Sequence, residues 1–402
     1  MVTYASSLNL TTEKLETFSS DYLDKFNISL MNGLSGLGVA AAYLGRYHDG
    51  SFRTMADRCY GEIRQRLRTY SFRLGKLHTY CSGLAGVLFA FKHLEEQDFY
   101  PDPLSSGSLK VLIDTFITCC EKDFAERNVD FLHGPLGIFY ALLKWWPHPE
   151  AERGMNFILD RYLQQLKQDD RGIRVFNGVI FNQHEAEYNF SLSHGMTGHL
   201  LILAEAYRRG YRREQLRPVL EGMVRYISAQ ARPAQTPGQT RYPSYFVEDE
   251  AFWQTERPEA FCTRLGWCYG DLNVAMAFMK VGDVLKDQDL KNHGVEVAAN
   301  TVVRTDAEET QIGKNPYVCH GASGLALTYG ILYERTRLPA FATAQEHWLG
   351  FTDRLLEEQL ENYPALNVSL SLLEGLSGIA LTLLSEKQRQ TLPTAEFFLL
   401  NH

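Results

Sequence analysis

The sequence predicts an all-α fold, an α/α toroid in which seven inner helices are surrounded by seven outer helices. Three observations predict it: a Gly-x-x-Gly motif recurs along the chain, each motif precedes an apolar stretch of helical length, and amphipathic stretches separate the motifs. Recurring supersecondary units that stack on their neighbours are typical of repeat architectures. Closure into a ring would bury both ends of the array. We expect a single domain over residues 1–402.

The motif occurs seven times, with first glycines at Gly33, Gly83, Gly134, Gly195, Gly270, Gly321 and Gly375. Most intervals are close to 50 residues, but two are longer, at 61 and 75. Glycine at these positions is expected to permit positive φ and a close approach of the backbone. Asn273 stands where the fifth repeat should have its second glycine. Asparagine tolerates unusual φ and caps helices, so we expect this departure to affect local helix packing only.

Each motif is followed by a segment that is small and apolar on all sides, such as 39–42 and 325–327. A helix of this composition is buried, so these segments are the predicted inner helices. The stretches between motifs have separate polar and apolar faces, which predicts the outer helices. They lie near 12–30, 57–69, 104–122, 151–168, 213–230, 290–303 and 342–361.

The two long intervals contain extra residues near 169–193 and 232–263. The first includes GIRVFNGVIF, which alternates as a β-strand does, and the second is rich in Pro, Gln, Thr and aromatic residues. We interpret both as excursions from the ring that pack together as a small β-containing lobe near its mouth.

Composition narrows the classes of function. The chain carries a formal net charge of −8. Nucleic acid is not an expected partner, because phosphate binding needs clustered positive charge. No apolar run reaches the ~20 residues of a transmembrane helix, and the N-terminus lacks the features of a signal peptide. The seven cysteines have no framework spacing, which predicts reduced thiols and a cytoplasmic location.

The residues just before each first glycine converge on one rim, because all inner helices of such a ring begin on one side. Three histidines and three cysteines stand one or two positions before a first glycine. Cys268 and Cys319 occupy equivalent places in consecutive repeats, and His320 follows Cys319 directly. Two thiolates and one imidazole suit Zn²⁺ with an open fourth position, as in catalytic zinc sites. The alternative is three separately buried residues, since free cysteine is commonly buried.

The motifs WCYG at 267–270, CHG at 319–321 and SHG at 193–195, set in the sevenfold repeats, resemble the lanthionine synthetase C-like (LanC) family. The resemblance covers residues 12–385, and the closing SLLEGLSGIALTLL is more similar to bacterial class I cyclases than to eukaryotic LanC-like proteins. It implies an α/α toroid and one Zn²⁺ per chain, held by Cys268, Cys319 and His320. It also implies acid–base roles for His194 and Asp130, and places Arg264 and Tyr269 at the same site.

The activity that the resemblance implies is lanthipeptide cyclisation. Family members add peptide cysteine thiols to dehydroalanine or dehydrobutyrine residues, which forms lanthionine and methyllanthionine thioether rings. The implied partners are a dehydrated precursor peptide, with leader and core, and a lantibiotic dehydratase that acts first. Without a transmembrane segment, any membrane association would be peripheral, through a biosynthetic complex.

Several alternatives stay open from sequence. His194 could be a core histidine, Asp130 a helix N-cap and Arg264 the partner of an acidic residue. The roles of Cys81, His133 and Glu374 are undetermined. The protein could instead be another zinc-dependent enzyme that alkylates peptide thiols, such as a prenyltransferase-like barrel, although seven hairpins favour the cyclase ring over a barrel of six. It could also be a non-catalytic LanC-like protein that binds thiols or glutathione.

Overall fold

The computed structural model describes residues 5–69, 76–101, 104, 106–178, 187–249, 261, 264–362 and 369–401. Within these residues the chain forms fourteen α-helices that alternate between an outer and an inner layer. The outer helices are α1 Ala5–Tyr22, α3 Phe52–Thr69, α5 Ser106–Ala125, α7 Pro149–Gln165, α9 Arg213–Ser228, α11 Gln288–Thr301 and α13 Pro339–Asn362. The inner helices are α2 Leu34–Tyr47, α4 Leu84–Glu96, α6 Pro135–Leu143, α8 Met196–Arg209, α10 Asp271–Leu285, α12 Ala322–Thr336 and α14 Leu376–Gln388.

The two layers differ in burial as their sequences require. Every residue of the inner helix α12 from Ala322 to Leu332 is buried. The outer helix α9 buries Leu216, Val219, Leu220 and Met223, whose spacing places them on one helical face. The last inner helix, α14, packs against the first, α2. The predicted toroid of inner and outer helices is therefore confirmed.

A belt of backbone hydrogen bonds links the loops that precede the inner helices. Its members stand two positions before each first glycine, and the N–H groups of six of the seven donate to the carbonyl of a neighbouring loop. The bonds run from Cys81 to Leu132 (2.9 Å), Met31 to Cys81 (3.1 Å), Leu373 to Met31 (3.3 Å), Cys319 to Leu373 (3.1 Å), Cys268 to Cys319 (3.1 Å) and Ser193 to Cys268 (3.5 Å). The bond between Leu373 and Met31 joins the seventh repeat to the first and closes the ring.

The glycines of the motif are required mainly by close backbone packing. A Cβ at Gly324 would lie 2.0 Å from the carbonyl oxygen of Val318, and one at Gly134 would lie 2.3 Å from Asn128 Oδ1. Among the first glycines only Gly270 has positive φ, at 108°. The expectation of positive φ is wrong for the other six, such as Gly33 with φ −143°. These positions exclude a side chain because the preceding loop lies directly beneath them.

The two excursions contribute short antiparallel strands. The first contains β1 Leu166–Asp169 paired with β2 Gly172–Val175, and the second pair joins β3 Glu187–Asn189 to β4 Tyr245–Val247. Because β3 belongs to the first excursion and β4 to the second, the two pack together as predicted. Parts of both, at 179–186, 250–260 and 262–263, lie outside the described residues. The assignment of 1–402 to one domain stays a prediction.

The chain that follows α14 fills the space between the inner helices. Residues 394–400 are buried, and we call them the axial plug. Their carbonyl oxygens accept hydrogen bonds from Tyr140 (at Glu396, 2.8 Å) and Trp267 (at Phe398, 2.7 Å). Trp267 directly precedes Cys268, so the plug supports the loop that carries this cysteine.

No helix in the described part of the chain combines the length and the apolar character needed to cross a bilayer.

Candidate functional site

The three predicted metal ligands lie together on the rim. The sulfur atoms of Cys268 and Cys319 and a ring nitrogen of His320 all lie within 4.8 Å of one another. The belt bond between the two cysteine backbones fixes their loops side by side. His320 Nδ1 lies 3.7 Å from a carboxylate oxygen of Glu374, on the next loop. The alternative of three separately buried residues does not hold, and the group could hold a metal ion.

The thiols of Cys268 and Cys319 have pKa values that are shifted in opposite directions. Hydrogen bonding from Cys319 to the sulfur of Cys268 lowers the pKa of Cys268 to about 5, against the opposing effect of burial. His320 and the positive charge of Arg264 act in the same direction. The pKa of Cys319 is raised because its thiol is the donor in this pair. The surroundings of Cys268 therefore favour its thiolate, which is the form in which cysteine binds a metal ion.

Asn273 holds the segment that carries Cys268. Its side-chain amide donates to the carbonyl oxygens of Trp267 (2.8 Å) and Gly266 (3.2 Å), and its Oδ1 accepts the N–H of Leu192 (3.1 Å). The residue lies in the first turn of α10 and is buried. We expected an effect on helix packing only, but Asn273 also ties the loops of the fourth and fifth repeats together beneath the candidate metal site.

His194 and Asp130 form a second cluster on the adjacent loops. His194 Nδ1 lies 2.9 Å from Asp130 Oδ2, and the Asp130 side chain is fully buried. Burial opposes ionisation of this carboxyl, but its hydrogen bond with His194 and the neighbouring histidine charges hold its pKa below the usual value. His194 retains partial exposure at the rim, with 14% of its side chain accessible. It is therefore a rim residue with a carboxylate partner, unlike an enclosed core histidine.

Asp130 also has a structural role in its own loop, although it is not the helix N-cap that was the sequence alternative, since Gly134 occupies that position without a side-chain cap. Its Oδ1 accepts the N–H of His133 at 2.7 Å. Ser191 and Ser371 stand at the same place in their repeats, and their hydroxyls accept the N–H groups of His194 and Glu374, each at 3.0 Å. Asp130 thus caps its turn with one oxygen and contacts His194 with the other. One side chain therefore both stabilises the turn before α6 and positions the ring of His194.

Tyr269 and Arg264 lie beside the two clusters. The hydroxyl of Tyr269 accepts a hydrogen bond from Asn189 Nδ2 at 3.3 Å, and burial raises its pKa. Charges on both Cys268 and Asp130 also raise it, which places the phenol between the clusters. Arg264 Nε donates to the carbonyl oxygen of Gln311 at 3.2 Å. The observed partner of this nitrogen is a carbonyl, whereas the sequence alternative was an acidic residue.

Two contributors were missed by sequence reasoning. Asn177, which follows β2, donates from Nδ2 to Asp130 Oδ2 and to the carbonyl oxygen of His194, both at 2.9 Å. Nothing in the sequence indicates this contact across the chain. The second contributor, a recurring asparagine, was visible in the sequence. Asparagine stands six positions before the first glycine in four repeats. Each side-chain oxygen accepts a hydrogen bond from the backbone N–H of the residue two positions later. These residues are Asn27, Asn128, Asn189 and Asn315.

Comparison with known proteins agrees with this geometry. The family model described as lanthionine synthetase C-like protein matches residues 24–399. The chain belongs to this family. A curated relative, the nisin biosynthesis protein NisC of Lactococcus lactis subsp. lactis, is 24% identical over 383 residues, which cover 91% of this chain and 87% of the relative. A solved structure of nisin cyclase covers 97% of both chains with a TM-score of 0.74 and 19% identity, which shows the shared family fold.

Proposed function

We propose that this protein is a zinc-dependent lanthipeptide cyclase, which adds peptide cysteine thiols to dehydroalanine or dehydrobutyrine residues. The observation that carries the proposal is the placement of a two-sulfur, one-imidazole group next to a histidine–carboxylate pair on one rim. Family membership supports the same reaction, since the relatives are named for nisin biosynthesis and nisin cyclisation.

The donor set fits zinc, because sulfur and imidazole are the donors that tetrahedral zinc prefers. Cys268, Cys319 and His320 would hold one ion per chain, and Glu374 would orient His320 from the side of Nδ1. When bound, zinc supplies a Lewis acid that favours the ionised form of a substrate thiol.

The remaining residues handle protons and charge. Asp130 orients His194 through Nδ1 and stabilises positive charge on its ring, which leaves the other ring nitrogen to exchange a proton with substrate. Attack of sulfur on the β carbon creates negative charge on the carbonyl oxygen of the dehydrated residue. Arg264 supplies positive charge and Tyr269 a neutral hydroxyl donor for that oxygen.

The proposed reaction requires a substrate peptide and a second enzyme. The substrate is a dehydrated precursor peptide with leader and core, so a dehydratase must act before this protein does. The candidate ligands need reduced thiols, which agrees with the cytoplasmic location expected from sequence. Any contact with a membrane would be peripheral, through a biosynthetic complex.

The test combines metal content with ring formation. We would measure zinc per chain by elemental analysis and incubate the protein with a dehydrated precursor peptide. Ring closure is counted by mass spectrometry after alkylation, because each ring removes one alkylatable thiol. Cys268→Ala and Cys319→Ala should each lose zinc and slow ring closure at least about a thousandfold.

Cys119→Ala is the matched control, because Cys119 is a half-buried thiol on the outer helix α5. This variant should keep wild-type zinc content and rate. A folded Cys319→Ala protein that closes rings at the wild-type rate would contradict the proposal. Tight glutathione binding by a wild-type protein that cyclises no dehydrated peptide would instead support the thiol-binding alternative.

A further inference from the structure

A second histidine faces His194 across the rim. His133 and His194 occupy the same position, one residue before the first glycine, in consecutive repeats. Their rings are nearly parallel, with an interplanar angle of 14° and centroids 5.8 Å apart. The proposed function assigns a role to His194 but none to His133, although the two rings lie side by side.

Both residues are held by one buried carboxylate. Asp130 Oδ2 contacts the ring of His194 through Nδ1 at 2.9 Å. Asp130 Oδ1 accepts the backbone N–H of His133 at 2.7 Å. The carboxylate therefore fixes the ring of His194 directly, whereas it fixes only the backbone of His133. Among the described residues, a carboxylate hydrogen bond to the imidazole is therefore seen for His194 but not for His133.

The surroundings of His133 favour its neutral form. Burial lowers the pKa of its ring, and the positive charges of His194 and Lys76 act in the same direction. The charge of Asp130 opposes them without reversing the shift. A neutral imidazole is a proton acceptor, whereas an imidazole bonded to a buried carboxylate is arranged to carry positive charge and to donate. The two rings thus differ in their surroundings, because Asp130 contacts the ring of His194 but the backbone N–H of His133.

We propose that His133 is a second acid–base residue of this site and divides the proton transfers with His194. The inference rests on the proposed function. His133 accepts the proton of the substrate thiol, and the sulfur electron pair forms a bond to the β carbon. The π electrons of the dehydrated residue move to its α carbon, which takes a proton from His194. One proton leaves sulfur and one arrives at carbon, so exchange between the two rings restores the starting state.

The test is the pH dependence of ring closure in His133→Gln and His194→Gln, measured with the zinc-loaded protein and a dehydrated precursor peptide. A free thiol has a pKa near 8.5, so alkaline solution removes its proton without a protein base. We expect His133→Gln to slow ring closure about tenfold to a hundredfold at pH 6.5 and less than about threefold at pH 9. His194→Gln should stay slow at both values, since its missing role is proton donation.

His347→Gln is the control, because its ring contacts only the carbonyl oxygen of Thr305 among the hydrogen bonds of the described residues and it lies on the outer helix α13. It should match wild type at each pH. A loss in His133→Gln that is equal at both pH values would indicate packing alone, and an unchanged rate would exclude any role; either result overturns the inference. If wild type forms no rings, the proposed function has failed instead.

Discussion

The loops that precede α2 and α10 both lead into an inner helix, but different residues hold the two loops in place. Before α2, the side chain of Asn27 accepts the N–H of Ser29 at 2.8 Å, and Gly36 fits beneath the carbonyl of Leu30. Before α10, Arg264 stands in the position of the asparagine and Asn273 in that of the second glycine. The regular loop is held by its own asparagine side chain and by close backbone packing at glycine, whereas the loop that carries Cys268 is held by the side chain of Asn273 from the helix that follows it.

This difference indicates where the ring has been altered for chemistry. Residues that break a local structural rule are expected at functional sites, where other contacts compensate. Arg264 leaves the turn without its usual asparagine, and its charge acts on the Cys268 thiol. Asn273 compensates by binding the carbonyls of Gly266 and Trp267. This contrast can be tested by replacing the second glycine of a regular repeat and, separately, Asn273 of the fifth repeat.

The largest effect is expected when a regular loop loses its second glycine. In Gly86→Ala the new Cβ would lie 2.1 Å from the carbonyl oxygen of Tyr80 and 2.7 Å from Leu30 Cβ. Neither contact can relax cheaply, because one partner is backbone and the other is a buried core residue. We expect the free energy of unfolding to fall by about 3 kcal/mol, measured by chemical denaturation.

Gly61→Ala is the matched control, since a Cβ there meets nothing within 4 Å and the residue lies inside the outer helix α3. This change should raise stability by about 0.5–1 kcal/mol, because alanine favours a helix interior. If both variants behave alike, close packing is not the reason for glycine in the motif.

The second largest loss of stability is expected when Asn273 of the fifth repeat loses its side-chain hydrogen bonds. Asn273→Ala and Asn273→Gly each remove the three hydrogen bonds that this side chain makes. Buried polar groups left without partners destabilise the fold by about 1–3 kcal/mol in total. Because the segment ends at Cys268, we also expect weaker zinc retention, measured by competition with a chelator.

Asn292→Ala serves as the comparison variant, because the one side-chain hydrogen bond of Asn292 among the described residues is an exposed one, accepted from Gln288 on α11. It should leave stability and zinc retention unchanged. Should Asn273→Gly match wild type in both measurements, glycine alone would suffice in the fifth repeat and the contrast between the two loops would fail.

The smallest effect is a pH-dependent one at Asp130. Its folded-state pKa lies below the usual carboxyl value, so its ionised form stabilises the fold above about pH 4. This contribution is lost as the pH falls through the folded-state pKa. Asp130→Asn should therefore lower the free energy of unfolding by about 1 kcal/mol near pH 6 and by less at pH 3.

Asp170→Asn, at an exposed turn, should have no such pH dependence. Paired denaturation curves at pH 6 and pH 3 measure the difference between wild type and each variant. A deficit in Asp130→Asn that grows toward pH 3 would have the wrong sign for a carboxyl stabilised in its ionised form.

Much of this architecture could be predicted from periodicity. The repeated glycines and the wholly apolar stretches define the inner helices, and the amphipathic stretches define the outer ones. Because the inner helices all begin on one rim, residues at equivalent positions of consecutive repeats are neighbours. This reasoning predicted that Cys268, Cys319 and His320 lie together. The same reasoning placed His194 on the rim, whereas its acid–base role was implied by the resemblance to the LanC family.

The features that sequence did not predict are made by residues that have no equivalent in the other repeats. Asn177 lies in an excursion, so no equivalent position in another repeat reveals its bond to Asp130. The need for glycine was attributed partly to positive φ, but sequence cannot distinguish a strained dihedral from a crowded backbone. The axial plug was missed because its residues after α14 belong to no motif, and only their burial between the inner helices shows their role.

The axial plug makes assembly of the ring a late event. Tyr80 and Phe397, which the plug brings into hydrogen-bond contact, are 317 positions apart. At ribosomal speed, roughly 15 s to a minute separates their synthesis. During that time the apolar surface that the plug later covers, such as Phe89 on α4, lacks this partner, and nascent chains in this condition are prone to aggregate. The yield of native protein in the cell should therefore depend on chaperones that shield these helices until translation is complete.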